Sequence, residues 1–432
     1  TVTVSGAAGP LGSVVTDQVT AQARHGIMVM TGNEWYGYHR YFHEQLRGGS
    51  KVQIETVRLP DIGLQRSLVR QSDILLLLDE TPSDPVRSRR QSLAQKMTED
   101  VLTAAVYVRE SEKKAVPPRL VYGSSIVIYG LMPETARREK FRTGFQLKED
   151  DLVFDPALQS WIIRIADELV QHPKFVSQPV PSVKGETRVY AALGYVEAVL
   201  ARFPPPVEYN KPEYHDALVK AVGEQIIGRY SNGISLRLGG IYGPGYDAPD
   251  QMLQATNPIH ESLQRARAGE EIRHTPQSKA LLYVEDVPLL QAATVSLEKF
   301  GPPQEGLRKP FLGTHRLVLN IGSPVLHSGE EIAKTAVRLT GIGSPVIVDA
   351  EARDVSHLLL DLERTQTVLG IDPSRWHSLE KGMQKTLRWM IPSAFAPKLW
   401  QNRFFWSGRQ LPKPTLPELV RFRKAITDAR SL

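Results

Sequence analysis

Three clusters of residues in this 432-residue chain have the types and spacing that chemistry uses. Gly6-Ala7-Ala8-Gly9-Pro10-Leu11-Gly12 places glycines at the first, fourth and seventh positions of a turn, after the β-branched run Thr1 to Val4 and before the helical pattern from Leu11 to Ala23. In a strand–turn–helix of this kind the first glycine permits the tight turn and the second lets the backbone approach a pyrophosphate. The third lets helix and sheet pack closely, and phosphates meet the unpaired N–H groups at the helix start. Without that context the same glycines would be a structural turn only. The second cluster is Asp216 and Lys220. Four residues apart on a helix they would form a surface ion pair, and an aspartate beside an ammonium accepts a proton far more readily than it donates one. The third is Ser124-Ser125 at the end of an apolar run, which lacks the flanking pattern of a nucleophile elbow.

Other candidates carry less. His39 and His43 would share a helix face, but two imidazoles without a third ligand do not make a zinc site. The aromatics between them, Tyr41 and Phe42, suit helix packing as well as base stacking. Asp79-Glu80 follows the fourth strand, where two carboxylates beside a pyrophosphate are unfavourable unless paired or turned away. At the end of the second strand stands Thr31-Gly32-Asn33. It offers neither the acid that would hold a ribose 2′-hydroxyl nor the arginine that would hold its phosphate, so Asn33 is the candidate ribose partner and NAD against NADP stays open.

The elements that must position these groups alternate. After the first strand and helix come strands at Gly26 to Met30, Lys51 to Arg58 and Ile74 to Leu78, a helix from about Arg89 to Lys113, and a strand at Arg119 to Gly123. This order predicts βαβ units and a doubly wound parallel α/β sheet of the Rossmann type. Residues 1–130 form its first part, and residues 131–206 break the rhythm and read as an insertion with two helix-like pieces, Ser160 to Gln171 and Thr187 to Arg202. Residues 207–390 resume the sheet and add a smaller C-terminal lobe, and residues 391–432 are an aromatic and proline-rich extension.

Composition narrows the functions. There are no cysteines, which excludes disulfides, thiol nucleophiles and thiolate metal sites, and no metal is expected. The net charge of +6 admits anionic partners, including a contact with RNA through the Rossmann part and the basic tail Arg421-Phe422-Arg423-Lys424. The longest apolar run, Ile74 to Leu78, is too short to span a bilayer, so a soluble intracellular protein is expected. A start at Thr1 fits removal of a targeting peptide, and the charge would suit the mitochondrial matrix. Leu399-Trp400 and Phe404-Phe405-Trp406 are many large apolar groups for a tail, which with the insertion points to protein partners.

Several segments together resemble the extended short-chain dehydrogenase/reductase superfamily, the NAD-dependent epimerase/dehydratase group. They are the glycine turn, Val121-Tyr122-Gly123-Ser124-Ser125 through Tyr129-Gly130, Lys220-Ala221-Val222-Gly223-Glu224, and Leu236-Arg237-Leu238-Gly239-Gly240-Ile241-Tyr242-Gly243-Pro244. Tyr283-Val284-Glu285-Asp286-Val287, Asn320-Ile321-Gly322-Ser323 and the closing helix with Leu379-Glu380-Lys381-Gly382 complete the order, over about Thr1 to Met390. The resemblance implies NAD or NADP as cofactor. It makes Ser125 and Lys220 the catalytic serine and lysine, and Gly6, Gly9, Pro10, Leu11, Gly12, Asn33, Asp61 and Lys220 the cofactor-binding residues.

In that family a tyrosine four residues before the lysine is the general acid/base, its phenol activated by the ammonium, while the serine orients the substrate oxygen. Here that position is Asp216, and none of the fourteen tyrosines has a lysine four residues on. Tyr214 is nearest, but two residues along a helix turn a side chain by about 200°, so it would reach Lys220 only through a shift of register. The expectation is a dinucleotide-binding member with impaired catalysis, kept as a structural or accessory subunit of a larger assembly. The competing expectation is an active NAD(P)-dependent enzyme on a nucleotide-sugar or related substrate, with Asp216 as its base.

Overall fold

The apolar run after Asp73 shows why the sheet lies in the middle of the molecule. Leu75 and Leu77 pack into one hydrophobic cluster, while Leu76 and Leu78 pack into another on the opposite face. A strand buried on both faces needs helices on both faces, which a parallel sheet with crossover connections supplies. In the computed structural model, seven strands form that sheet: β1 (Val2–Ser5), β2 (Gly26–Thr31), β3 (Val52–Val57), β4 (Ile74–Leu77), β5 (Arg119–Ser125), β6 (Gly233–Leu238) and β7 (Leu317–Ile321). Their order is β7-β6-β5-β4-β1-β2-β3, and every neighbouring pair is parallel. The structure describes residues 1–7, 10–22, 26–31, 52–57, 62–78, 91–136, 146–171, 186–243, 258–274, 278–295, 310–311, 314–315, 317–348 and 359–393.

The first cluster lies under α2 (Ile62–Gln71), α3 (Leu93–Glu99), α4 (Val101–Ser111), α5 (Pro156–Gln171), α6 (Glu186–Arg202) and α7 (His215–Arg229). The single helix expected from Arg89 to Lys113 is two. It begins only at Leu93, where Ser92 makes a capping box: its hydroxyl accepts from the Gln95 N–H at 3.2 Å, and its own N–H donates to the Gln95 side chain at 2.9 Å. It breaks at Asp100, whose carboxylate is drawn to partners on other elements.

Residues 131–206 contribute to this cluster directly. Helix α5 buries Leu158, Trp161, Ile162, Ile165, Ala166 and Leu169, and α6 adds Ala192, Val196 and Val199. The Trp161 indole N–H donates to the Phe203 carbonyl at 2.9 Å, tying the end of α6 back to α5. The second cluster runs from beneath α1 (Pro10–Gln22) into the C-terminal lobe. There the helices Pro258–Ala268, Gly329–Thr340 and Leu379–Ser393 surround a small sheet in which Ser278–Tyr283 pairs with Gly240–Tyr242 and Leu326–Ser328. Among the described residues no helix is long and apolar enough to cross a membrane.

Candidate functional site

Strand β1 lies between β2 and β4, so the connection out of β1 and the connection out of β4 leave on opposite sides. That crevice, at the carboxyl ends of the strands, is where doubly wound sheets bind ligands. The glycine turn opens into it. Gly6 has φ +77, a left-handed conformation that costs glycine little and other residues much. A Cβ on Gly12 would stand 2.1 Å from the Gly6 carbonyl oxygen, so only glycine lets α1 start this close to the turn. Pro10 opens α1, Leu11 is fully buried beneath it, and Thr16 donates to the Gly12 carbonyl at 2.7 Å. Pro10 has no N–H to give, so Leu11 and Gly12 carry the first backbone donors of the helix. The geometry fits a dinucleotide pyrophosphate held by backbone groups.

The second half of the candidate site is built by β5 and α7. Lys220 projects from α7 to the end of β5, where its ammonium donates to the Gly123 carbonyl at 3.0 Å and lies 5.2 Å from the centre of the Tyr122 ring. Its closest ionic partner is Asp100, at 2.7 Å. Asp100 also accepts from the Tyr122 hydroxyl at 3.2 Å. Burial raises the Asp100 pKa above the ordinary aspartate value, with Lys220 and Tyr122 opposing. Tyr122 fits under α7 because residue 223 is glycine: a Cβ there would be 2.2 Å from the phenol oxygen.

Asp216 does not close the ion pair along α7 that its spacing suggested. Its carboxylate is instead held across the helix interface by Lys96 of α3, at 2.5 Å. The Lys96 side chain is 2% exposed and the Asp216 side chain 45%. Tyr214 undergoes no shift of register. It precedes α7 and meets Tyr209 edge-to-face, with ring centres 5.5 Å apart.

Ser125 ends β5, and its hydroxyl caps the following turn by accepting from the Val127 N–H at 3.3 Å. Its neighbour Ser124 belongs to a different system. It donates to Glu224 at 2.6 Å, and Glu224 takes two bonds of 3.0 Å from the Arg237 guanidinium. Arg237 continues to the Tyr129 hydroxyl at 3.0 Å, which donates to Asn320 at 2.8 Å. Burial works against the Arg237 charge, but Glu224 and Tyr129 outweigh it and raise its pKa. This buried network holds the ends of β5, β6 and β7 at one level.

The structure therefore gathers Gly6, Pro10, Leu11 and Gly12 at one side of the sheet centre, and Ser125, Lys220 and Asp216 around β5 and α7. Gly9, Asn33, Asp61, Asp79, Glu80, His39, His43 and the aromatic extension lie outside the described residues. Among the described residues no group of three His, Cys, Asp or Glu side chains is placed to hold a metal. Sequence reading missed Lys96 and Asp100. Their signal was present, because Lys96 and Asp100 repeat the four-residue spacing of Asp216 and Lys220 with the signs in opposite order.

No family model and no curated protein matches this sequence. Solved structures do. UDP-glucose 4-epimerase from Thermotoga maritima superposes with a TM-score of 0.55 at 16% identity, covering 91% of this chain and 99% of that one. This is an epimerase-type Rossmann fold. UDP-glucuronic acid 4-epimerase from Bacillus cereus, in complex with UDP-glucuronic acid and NAD, gives 0.55 at 14% identity over 90% and 98%. dTDP-glucose 4,6-dehydratase from Bacillus anthracis, in complex with NAD, gives 0.53 at 13% over 93% and 98%. The epimerase-type fold thus covers nine-tenths of the chain.

Proposed function

We propose that this chain binds NAD or NADP at the glycine turn, does not run tyrosine-dependent hydride chemistry, and serves as a structural or accessory subunit of a larger assembly. The single observation that carries the loss of catalysis is the engagement of Asp216 by Lys96 at 2.5 Å. The residue in the tyrosine's place is a carboxylate committed to an ion pair, with no phenol to exchange a proton at a substrate oxygen. Dinucleotide binding is supported by the Gly6–Gly12 geometry at the switch point. It is supported too by fold neighbours such as the Bacillus cereus and Bacillus anthracis enzymes, whose structures contain NAD. A bound nicotinamide would supply hydride acceptance or donation. What these residues supply is a phosphate cradle, a serine engaged in capping its own turn, and ions paired with each other.

The assembly role rests on the charge of +6 and the apolar extension, and a mitochondrial matrix particle is one setting that suits both. Two measurements test the proposal. Titration of the purified chain with NADH and NADPH, followed by nucleotide fluorescence, is expected to saturate. NMR of UDP-glucose or UDP-glucuronic acid incubated with the NAD-loaded protein is expected to show no conversion. Turnover at ordinary enzyme rates would restore the reading of an active enzyme with Asp216 as base. Sedimentation of the endogenous protein as a free monomer or dimer would remove the subunit role.

A further inference from the structure

The four charges at the centre of the site form one arrangement. Lys96 and Asp100 are one helical turn apart on one side of an interface, and Asp216 and Lys220 are one turn apart on the other. The pairs that close are Lys96 with Asp216 and Asp100 with Lys220. Signs therefore alternate around the square, and its net charge is zero. Burial raises the Asp100 pKa, Lys220 and Tyr122 oppose it, and the Asp216 charge adds a smaller rise. One end is dry, with the Lys220 and Asp100 side chains 10% and 4% exposed, and the other reaches solvent through Asp216.

The geometry points to Asp100 and Lys96 as positioning residues: Asp100 holds Lys220, and Lys96 holds Asp216, each away from a bound dinucleotide. This deepens the dinucleotide-binding reading and rests on it. An ammonium has three N–H donors, and Lys220 gives two of them to Asp100 and Gly123. Its charge is compensated at 2.7 Å in a site sheltered from water, where ionic hydrogen bonds are strongest. Moving it to a neutral ribose hydroxyl would leave Asp100 buried without its cation, a larger loss than one neutral hydrogen bond repays. Lys220 accordingly stays with Asp100 when the dinucleotide arrives, and affinity comes from the glycine turn. The same logic holds Asp216 at Lys96, because leaving would take a carboxylate from beside an ammonium that is 2% exposed.

Two measurements test this on the whole chain. In the first, NADH is titrated into the wild type and into Lys220→Met, each checked by circular dichroism. The dissociation constants should agree within about twofold, whereas a lysine that holds the ribose would cost about tenfold or more. In the second, Lys220 of the wild type is followed by reductive methylation and mass spectrometry, with and without saturating NADH. It should be among the slowest lysines to react, at a rate NADH does not change. A tenfold weakening in Lys220→Met, or strong protection of Lys220 by NADH, would overturn the proposal. If the wild type binds no dinucleotide, the function reading fails while the pairing is still judged by methylation. Slow labelling of Lys220 would then uphold the closed pairs, and labelling as fast as exposed lysines would sink them. Should Lys220→Met fail to fold, the wild-type methylation decides alone.

Discussion

The glycine turn and the β5–α7 region both stand at the carboxyl ends of strands of one parallel sheet but are built differently. In the turn the site is made of backbone shape, and the described residues carry it in a positive φ at Gly6 and the absence of a Cβ at Gly12. At β5–α7 the site is built from side chains, and the Asp216 carboxylate of α7 is held by a lysine on α3. A binding device made of backbone is also a folding device, because it sets how closely α1 meets the sheet. A catalytic side chain is not, and it can be exchanged as long as its replacement finds a partner.

The largest effect should come from the turn. Gly12→Val would put side-chain atoms into the Gly6 carbonyl, and loss of all NADH binding together with several kcal/mol of stability is expected. Retention of a wild-type dissociation constant in that variant would break the comparison. Next is the dry ion pair. Lys220→Met leaves Asp100 buried without its cation and should cost about 3–5 kcal/mol in urea unfolding, much of it recovered in Lys220→Met with Asp100→Leu. A smaller effect separates the square from the rest of the molecule under acid. His260 is buried against the Gly243 carbonyl, and burial lowers its pKa to about 4 from an ordinary 6.5. The unfolded chain binds that proton first, so this contribution is fully present above about pH 6.5 and is lost as pH falls toward 4, a change of about 2–3 kcal/mol. Melting curves at pH 7 and pH 4.5 for wild type and His260→Gln should show the acid loss shrink in the variant; an unchanged loss would move the acid sensitivity to the square.

The outer pair should matter least. Lys96→Met removes a buried ammonium from beside a carboxylate that is 45% exposed, so stability should stay within about 1 kcal/mol of wild type. Asp216→Tyr should give no turnover with UDP-sugars in the NMR assay, because Lys220 remains tied to Asp100. Robust epimerisation in that single variant would show the site to be one substitution from activity.

What could be read from the sequence was local. The glycine turn, the two-faced apolar strand at Ile74 to Leu78 and the helices near Ser160 and Thr187 announce themselves within ten or twenty residues, and each stands close to where it was expected. The break at Asp100 was not legible, and the lysine that pairs with Asp100 lies 120 residues away. The same distance separates Lys96 from Asp216, so the spacing within each helix was visible while the pairing between helices was not. Residues 131–206 were legible as a break in rhythm. Their contribution of Leu158, Ile162, Ile165 and Val196 to the core shared with α7 was not, because amphipathic helices carry no label for the surface they cover.

That shared core has a consequence for biosynthesis. Strand β5 ends at residue 125 but pairs with β6, which begins at residue 233, and α5 and α6 lie in the interval. On a ribosome, the first half of the sheet must wait with one flank unsealed for more than a hundred further residues. Contacts closed over such separations form slowly and leave sticky surfaces exposed to other chains meanwhile. Nascent chains halted between α4 and α7 should therefore be held by chaperones, and release should come only once β6 has emerged.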